Sequence, residues 1–300
     1  SLQPLRYTLS HNTAPTPIYL KSKRFMPSIQ LSSHSVANAR YATVTIKQPG
    51  KFNAMSRSMW RSLKQVFLEL QQQTTAANPL RCVVLQGADG HFCSGGDIAE
   101  YPDFRFIPEQ LQAFHEEDVW GALNAILQCD CPIVAAIAGN CMGGGLEIAA
   151  CCDIRIATQD SRYGAPIAKL GFPMAPREAA LLASKLGDTC TRSMLLEAAI
   201  YSAPHLHQQG FLTRLVANDT QLHNETEQSI HRILHLAPAS ARLNKQQLRQ
   251  LPALTCNPDN THQPINTNVA TPTACAYSYA TSQEHREGIT AFLEKRPAQF

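Results

Sequence analysis

The stretch GNCMGGGLEIAACCDIRIA, at 139–157, places three consecutive glycines two residues before an isolated carboxylate, Glu147. Glycines weaken a helix, and a charge among apolar residues costs desolvation energy. The glycines, Gly143–Gly145, follow an apolar run that is typical of a strand and precede a predicted helix. Unpaired backbone N–H groups at such a junction suit an anion, or an oxygen that becomes anionic during a reaction.

A second junction has the same design. In RCVVLQGADGHFCSGGDIAEY, at 81–101, a strand-like run and a loop lead to Gly95 and Gly96, which open an apparent helix with Asp97. If one N–H group from each junction donated a hydrogen bond to the same oxygen, the two would form an oxyanion hole. Taken alone, each glycine cluster is also explained by a tight turn or by close packing.

The elements that position these junctions alternate between strands and helices. Apolar runs predict buried strands, and helical spacing predicts the segments between them. The predicted strands are YATVTIKQP, RCVVLQG, PIVAAIAG and DIRIAT, and the predicted helices of this region are 56–73 with Ser56 as N-cap, 109–128, 143–151 and 177–186. This alternation indicates an α/β fold whose parallel sheet is buried on both faces.

Beyond about residue 190 the strand signal fades and helices are expected. We predict an extension without fixed structure at 1–28, an α/β core at 29–220, and a helical C-terminal region at 221–300 that contains a long loop at 251–275. Residues 1–28 are rich in serine and proline, so a transit peptide to the mitochondrial matrix is the alternative interpretation.

Composition excludes several classes of protein. The formal net charge is +3 over 300 residues, and no face clusters Lys and Arg with aromatics, so no nucleic-acid partner is expected. No apolar run is long enough to span a membrane, so no membrane partner is expected. The ten cysteines form no CxxC pair, which argues against a zinc site and favours a reducing, cytoplasmic location.

Several segments together resemble the crotonase, or enoyl-CoA hydratase/isomerase, superfamily. They are QPGKFNAMS, HFCSGGDIAE, IAGNCMGGGLEIAACCDIRIA, RYGAPIAKLGFPMAPREAALLASKLG and EGITAFLEKRPAQF. The resemblance covers about 36–217 and the last twenty or so residues. It implies a spiral of ββα units with a helical C-terminal oligomerisation region, assembly as a homotrimer or hexamer, and an acyl-CoA thioester as substrate. It implies no permanently bound cofactor, because coenzyme A arrives as part of the substrate.

The resemblance also assigns site residues. The N–H groups of Gly96 and Gly144 would hold the thioester oxygen, and Glu147 would be the catalytic acid or base. The CoA channel would be lined by residues from both junctions and from the KFNA segment, and Lys295 could meet the CoA phosphates. The channel residues are Lys51, Phe52, Asn53, Ala54, Gly96, Asp97, Ile98 and Gly144.

One position departs from the family pattern. Hydratases of the family carry a second glutamate about twenty residues after the first, and here that position holds Ile167, which cannot move a proton. Glu178 could supply a relocated carboxylate, although a first-turn helix role is the interpretation that we favour from sequence. The acidic run at 116–118 is expected to be a solvated helix face.

The expected activity is therefore enoyl-CoA hydration or isomerisation through a thioester enolate. A single-carboxylate decarboxylase or thioester hydrolase, or a non-catalytic acyl-CoA-binding subunit, remains the alternative. The histidine pairs His205/His207 and His231/His235 lack further ligands, so no metal is expected. Cys93 lies beside the first junction without an evident base and is expected to serve packing.

Overall fold

A computed structural model describes residues 27–255 and 277–300, with two sheets in this part of the chain. The strands are β1 (Ser28–Val36), β2 (Ala39–Lys47), β3 (Leu80–Gly87), β4 (Ile133–Ile137), β5 (Asn140–Met142), β6 (Ile154–Thr158), β7 (Arg162–Gly164), β8 (Ile200–Ser202) and β9 (Arg214–Val216). The large sheet has the order β1-β2-β3-β4-β6-β9, and the small one has the order β5-β7-β8. In the large sheet β2, β3, β4, β6 and β9 run parallel, which confirms the predicted topology.

Ten α-helices surround these sheets in the described residues. They are α1 (Arg57–Gln73), α2 (Pro108–Ala113), α3 (Trp120–Gln128), α4 (Gly144–Ala150), α5 (Pro176–Leu186), α6 (Asp188–Leu196), α7 (Ala203–Gln208), α8 (Asp219–Leu234), α9 (Pro238–Thr255) and α10 (Gln283–Leu293). The predicted cap of α1 is confirmed, because the Ser56 side chain accepts a hydrogen bond from the N–H of Met59. No helix of this part of the chain is long and apolar enough to cross a membrane.

The central strands β3 and β4 of the large sheet are buried on both faces, as their apolar sequences predict. Along β3, Val83 and Leu85 belong to the main hydrophobic core, whereas Cys82 and Val84 belong to a second cluster on the opposite face. The main core includes residues of α1 and α3, and α8 covers the second cluster. Such a sandwiched sheet gives the strand ends fixed positions, and the candidate site is built from the connections that leave those ends.

Three sequence-based expectations need correction. The predicted helix at 109–128 is α2, a π-helical turn at Phe114–Val119 and α3, so its register changes in the middle. The expectation that only helices follow residue 190 is wrong, because β8 and β9 lie beyond it. With three residues each, these strands are too short to show an alternation of apolar and polar residues in the sequence. The N-terminal edge strand β1, which is antiparallel to β2, was also missed, since its sequence SIQLSSHSV is mostly polar and exposed.

The predicted loop at 251–275 is wrong for residues 251–255, which belong to α9. Its remainder lies outside the described residues, as do residues 1–26 of the predicted extension. Beyond α8, the described C-terminal region is helical, as predicted.

Candidate active site

The two glycine junctions lie side by side. The N–H of Cys93 donates to the carbonyl of Asn140, and the N–H of Met142 donates to the carbonyl of Cys93, both at 2.9 Å. These bonds align the segment after β3 with β5. A Cβ on Gly143 would lie 3.7 Å from the Cα of Gly95, so the junctions are in close contact.

The N–H of Gly96 is directed away from its neighbouring segment. Met55 makes both bonds of a short parallel bridge: its N–H donates to the Gly95 carbonyl at 2.7 Å, and its carbonyl accepts from the Asp97 N–H at 2.8 Å. Alternation along an extended chain turns the intervening N–H of Gly96 to the opposite side. Gly96 lines a cavity, and its N–H is therefore a candidate donor to a ligand there.

Gly144 is the first residue of α4, so its N–H has no partner within the helix. Gly143 precedes it with a φ of 47°, a left-handed conformation that favours glycine, and donates its own N–H to Gly164 at 2.8 Å. A Cβ on Gly144 would lie 2.7 Å from Cζ2 of Trp60, and one on Gly145 would lie 2.4 Å from the carbonyl oxygen of Cys93. The cluster thus serves both a tight turn and close packing, and it leaves an N–H group at the cavity.

The cavity between these junctions has a volume of about 400 Å³. This size is typical of a small-molecule site, and most of the lining is apolar. The side chains with polar groups in its wall are Trp60, Ser94, Tyr101, Arg105, His115, Glu147, Lys169 and Glu178.

Glu147 lies on the first turn of α4, is buried and lines this cavity. Burial, and secondly the charge of Glu178, hold the pKa of Glu147 well above the usual glutamate value. Such a carboxyl group remains protonated at a higher pH than an exposed glutamate, so it can give a proton to a bound molecule.

Glu178 is a second buried carboxylate in the same wall, on α5. The guanidinium of Arg105 can only donate, so the 3.4 Å contact from its Nη1 makes Nε2 of His115 an acceptor. The proton of His115 is then on Nδ1, which donates to Oε1 of Glu178 at 2.8 Å. Glu178 lies in the first turn of α5, as the sequence interpretation has it, but its side chain also lines the cavity.

Ile167 begins a 3₁₀ turn, Ile167–Leu170, and also lines the cavity. Crotonase-type hydratases carry their second glutamate at this position. Here the side chain at this position lines the candidate site but is apolar. Glu178 reaches the same cavity from the next helix along the chain.

The predicted CoA-channel residues divide into two groups. Gly96, Ile98 and Gly144 line the cavity, whereas the KFNA segment and Asp97 lie beside it. The carbonyl of Phe52 accepts from the N–H of Ser94, which does line the cavity, at 3.0 Å.

The side chains of Asp97 and its neighbours hold this segment in place. Asp97 accepts from Lys51 Nζ at 2.6 Å and from Gln48 Nε2 at 2.9 Å. Burial opposes its ionisation, but these bonds outweigh burial and lower the pKa of Asp97. Asn53 has a φ of 59° and donates to the carbonyls of Ala88 and His91, both at 2.7 Å.

Other residues singled out from the sequence lie elsewhere. Asp118 is buried and accepts from Arg57 and Arg61, so the expectation of a solvated acidic face is wrong for it. Burial raises the pKa of Cys93 to about 12, which leaves a thiol suited to packing. Lys295 is exposed beyond the end of α10.

The predicted histidine pairs make no metal site in the residues described. His235 Nδ1 lies 2.7 Å from the His231 carbonyl oxygen, and the rings of His205 and Tyr201 are stacked. No group of three or more possible metal ligands occurs in the part of the chain that the structure describes.

Sequence analysis did not identify Tyr101, Arg105 or His115 as site residues. His115 lies in the π-helical turn, which changes the helical register just where the side chain meets the cavity. The sequence offers one sign of its role, since His115 directly precedes the acidic run at 116–118. The prediction of one regular α-helix over 109–128 did not direct its side chain towards the cavity.

Glycine N–H groups and two buried carboxyl groups line one cavity of an α/β fold. This arrangement is suited to an enzyme that stabilises an anionic oxygen. A sequence model of the Enoyl-CoA hydratase/isomerase family matches residues 37–300, and the chain belongs to this family.

Relatives of known description agree with this assignment. The chain is 26% identical to a short-chain-enoyl-CoA hydratase of Clostridium acetobutylicum over 258 residues, which are 86% of this chain and 92% of the relative. It is 27% identical to a crotonyl-CoA hydratase of Syntrophomonas wolfei over 265 residues, covering 87% and 94% of the two chains.

Solved structures show the same fold. An enoyl-CoA hydratase/carnitine racemase from Magnetospirillum magneticum superimposes with a TM-score of 0.76 at 32% identity, covering 87% of this chain and 91% of that one. A family member from Hyphomonas neptunium gives a TM-score of 0.78 at 24% identity, with 92% and 98% coverage. The predicted crotonase-type fold is thereby confirmed, and the chain is an enzyme of this family.

Proposed function

We propose that this enzyme catalyses reversible hydration of 2-enoyl-CoA thioesters, with Glu147 and Glu178 as its two carboxylates. The observation that carries the proposal is that α4 and α5 present these buried side chains to one cavity. Glu178 would thus replace the second glutamate of hydratases of the family, whose position holds Ile167 here. Addition of water across a double bond needs one proton delivered and one removed, and two carboxyl groups can do both.

The thioester oxygen binds between the N–H groups of Gly96 and Gly144. As electron density moves from the double bond to this oxygen, the two donors stabilise the enolate. Coenzyme A enters beside Ser94 and Ile98, and the segment with Phe52, Ala54 and Asp97 supports that side of the channel.

The two glutamates have different roles because their surroundings differ. Glu178 is held by His115 through one oxygen, and its carboxylate accepts a proton from water while the water oxygen bonds to C3. Glu147, with its raised pKa, gives its proton to C2 as the enolate collapses. One proton then passes from Glu178 back to Glu147 and restores the starting state, so the net reaction adds one water molecule.

The names of the relatives support hydration. Those from Clostridium acetobutylicum and Syntrophomonas wolfei are described as hydratases of short enoyl-CoA and crotonyl-CoA. A short or medium acyl group is also in keeping with a cavity of about 400 Å³.

The test is turnover of 2-enoyl-CoA thioesters of increasing length, starting from crotonyl-CoA. Hydration removes the conjugated double bond, so ultraviolet absorbance reports the reaction and mass spectrometry reports the added water. We expect hydration by the wild type. Isomerised, decarboxylated or hydrolysed products without hydration would instead support a different reaction in the same cavity, and binding without turnover would support the non-catalytic alternative.

Assembly and location are further proposals. We propose a homotrimer or a pair of trimers, supported by large exposed apolar side chains on α10, where Ile289, Phe292 and Leu293 are 52%, 82% and 72% exposed. We also propose a reducing, cytoplasmic location and a role in fatty acid metabolism. The described cysteines that are unpaired, eight in number and all buried, support the reducing compartment.

A further inference from the structure

Arg105 is a cation in the wall of the acyl cavity that hydration itself does not require. Its guanidinium packs on two aromatic rings, with Cζ 4.6 Å from the centroid of Tyr101 and 3.8 Å from that of Phe172, and these two rings are inclined at 69° to each other. Both rings also line the cavity. Cation–π contact with both rings holds the guanidinium in place and limits the directions in which it can donate hydrogen bonds.

The hydrogen-bonding capacity of Arg105 is mostly unused within the described residues. A guanidinium has five N–H donors, and the one polar side-chain contact of Arg105 there is the 3.4 Å contact to Nε2 of His115. No carboxylate of the described chain lies within ion-pair distance of it. Glu178 is near enough to act on the charge of Arg105, but its Oε1 is bonded to His115.

Tyr101 connects Arg105 to the first glycine junction. The hydroxyl of Tyr101 lies against Gly96, since a Cβ placed there would be 2.1 Å from Oη. Cζ of Arg105 lies 4.6 Å from the centroid of the same Tyr101 ring, so one aromatic side chain contacts both Gly96 and the guanidinium. A group a few carbon atoms beyond the thioester would reach it.

We propose that Arg105 binds a carboxylate at the far end of the acyl chain, so that the preferred substrates are CoA thioesters of dicarboxylic acids. A carboxylate accepts two parallel N–H bonds from a guanidinium, and the low polarity of the surrounding rings strengthens this pair. The inference rests on the proposed function for the acyl-CoA, but it concerns binding and can be tested without turnover.

The test is equilibrium binding of saturated thioesters by calorimetry. Succinyl-, glutaryl- and adipyl-CoA are each compared with the thioester in which an isopropyl group replaces the carboxylate: 4-methylpentanoyl-, 5-methylhexanoyl- and 6-methylheptanoyl-CoA. In the wild type, we expect at least one of the three lengths to bind at least tenfold more tightly as the carboxylate than as its isostere.

Arg105→Met should abolish this preference and leave the affinity for the isopropyl thioesters within about threefold, which also shows that the cavity is intact. Arg105→Lys, which keeps the charge without the fork of donors, should keep only part of the preference. The matched control is Lys169→Met, because Lys169 lines the same cavity but is exposed. This control should retain the full preference.

Three results would overturn the inference: equal binding of acid and isostere at every length, a preference that survives Arg105→Met, or one that is lost in Lys169→Met alone. If no thioester of either kind binds, the acyl-CoA function itself fails, and this outcome is distinct from the others.

Discussion

Adding one methyl group at Gly96 should disable the oxyanion site for a reason that the structure makes explicit. The φ of Gly96 is outside the left-handed region, so alanine can adopt the backbone conformation. The new Cβ, however, would lie 2.1 Å from Oη of Tyr101, which is roughly 1.3 Å closer than ordinary van der Waals contact. Either the ring or the Gly96 backbone has to move.

A displacement of this size costs activity. Misplacement of a reacting group by about 1 Å can cost about 10²-fold in rate, and removal of one oxyanion donor costs about 10²- to 10³-fold in kcat. We therefore expect Gly96→Ala to lower kcat for enoyl-CoA hydration by about 10²- to 10³-fold.

The clash can be relieved independently. Tyr101→Phe removes Oη, and the nearest remaining ring atom, Cζ, would be 3.1 Å from the new Cβ, which a shift of a few tenths of an ångström accommodates. The double variant Gly96→Ala/Tyr101→Phe should thus recover at least about tenfold of the kcat lost in Gly96→Ala.

The assay is steady-state kinetics on crotonyl-CoA, with Gly121→Ala as control because its Cβ would meet only the flexible end of Lys64, at 3.0 Å. A Gly96→Ala enzyme with wild-type kcat would refute the reasoning, as would a double variant no faster than Gly96→Ala.

Three further outcomes follow from other contacts. The pKa of Glu147 is raised in the folded state, so the folded chain keeps a proton that the unfolded chain releases above pH 4.5; the free energy of unfolding of the wild type should therefore fall as pH rises from 4.5 to the folded pKa. Glutamine does not titrate, so urea unfolding should show Glu147→Gln becoming more stable relative to the wild type across this pH range. A difference in stability that does not change with pH would contradict the raised pKa. Ser56→Ala removes the side-chain cap of α1 and should lower the free energy of unfolding by about 1 kcal/mol, with an unchanged urea midpoint as the contrary result. Phe292→Asp places a charge on the exposed apolar face of α10 and should reduce the mass measured by light scattering to that of a smaller species, whereas an unchanged oligomer would exclude this face from the interface.

The fold was predictable where the sequence has strong local periodicity. Apolar strands and the helical spacing of α1 identified the parallel sheet, and the glycine junctions, together with the family resemblance, pointed to Gly96, Gly144 and Glu147, which line the cavity. These features depend on neighbours in the chain, which single-sequence patterns can show.

The rest of the site depends on contacts between distant segments. His115 and Glu178 are 63 residues apart and meet only after the π-helical turn changes the register before α3. Glu178 alone, at the start of α5, has the appearance of any first-turn acid. The packing of Arg105 against Tyr101 and Phe172 likewise arises from tertiary structure and has no signature in the local sequence.

The most direct test of the proposed mechanism is the kcat of Glu178→Gln for hydration of crotonyl-CoA, with the Kd of a saturated acyl-CoA as a check on the cavity. A glutamine keeps the shape of the side chain but cannot take a proton from water, so we expect kcat to fall by at least about 10²-fold while Kd changes little. A Glu178→Gln enzyme that hydrates crotonyl-CoA at the wild-type rate would contradict the two-carboxylate account.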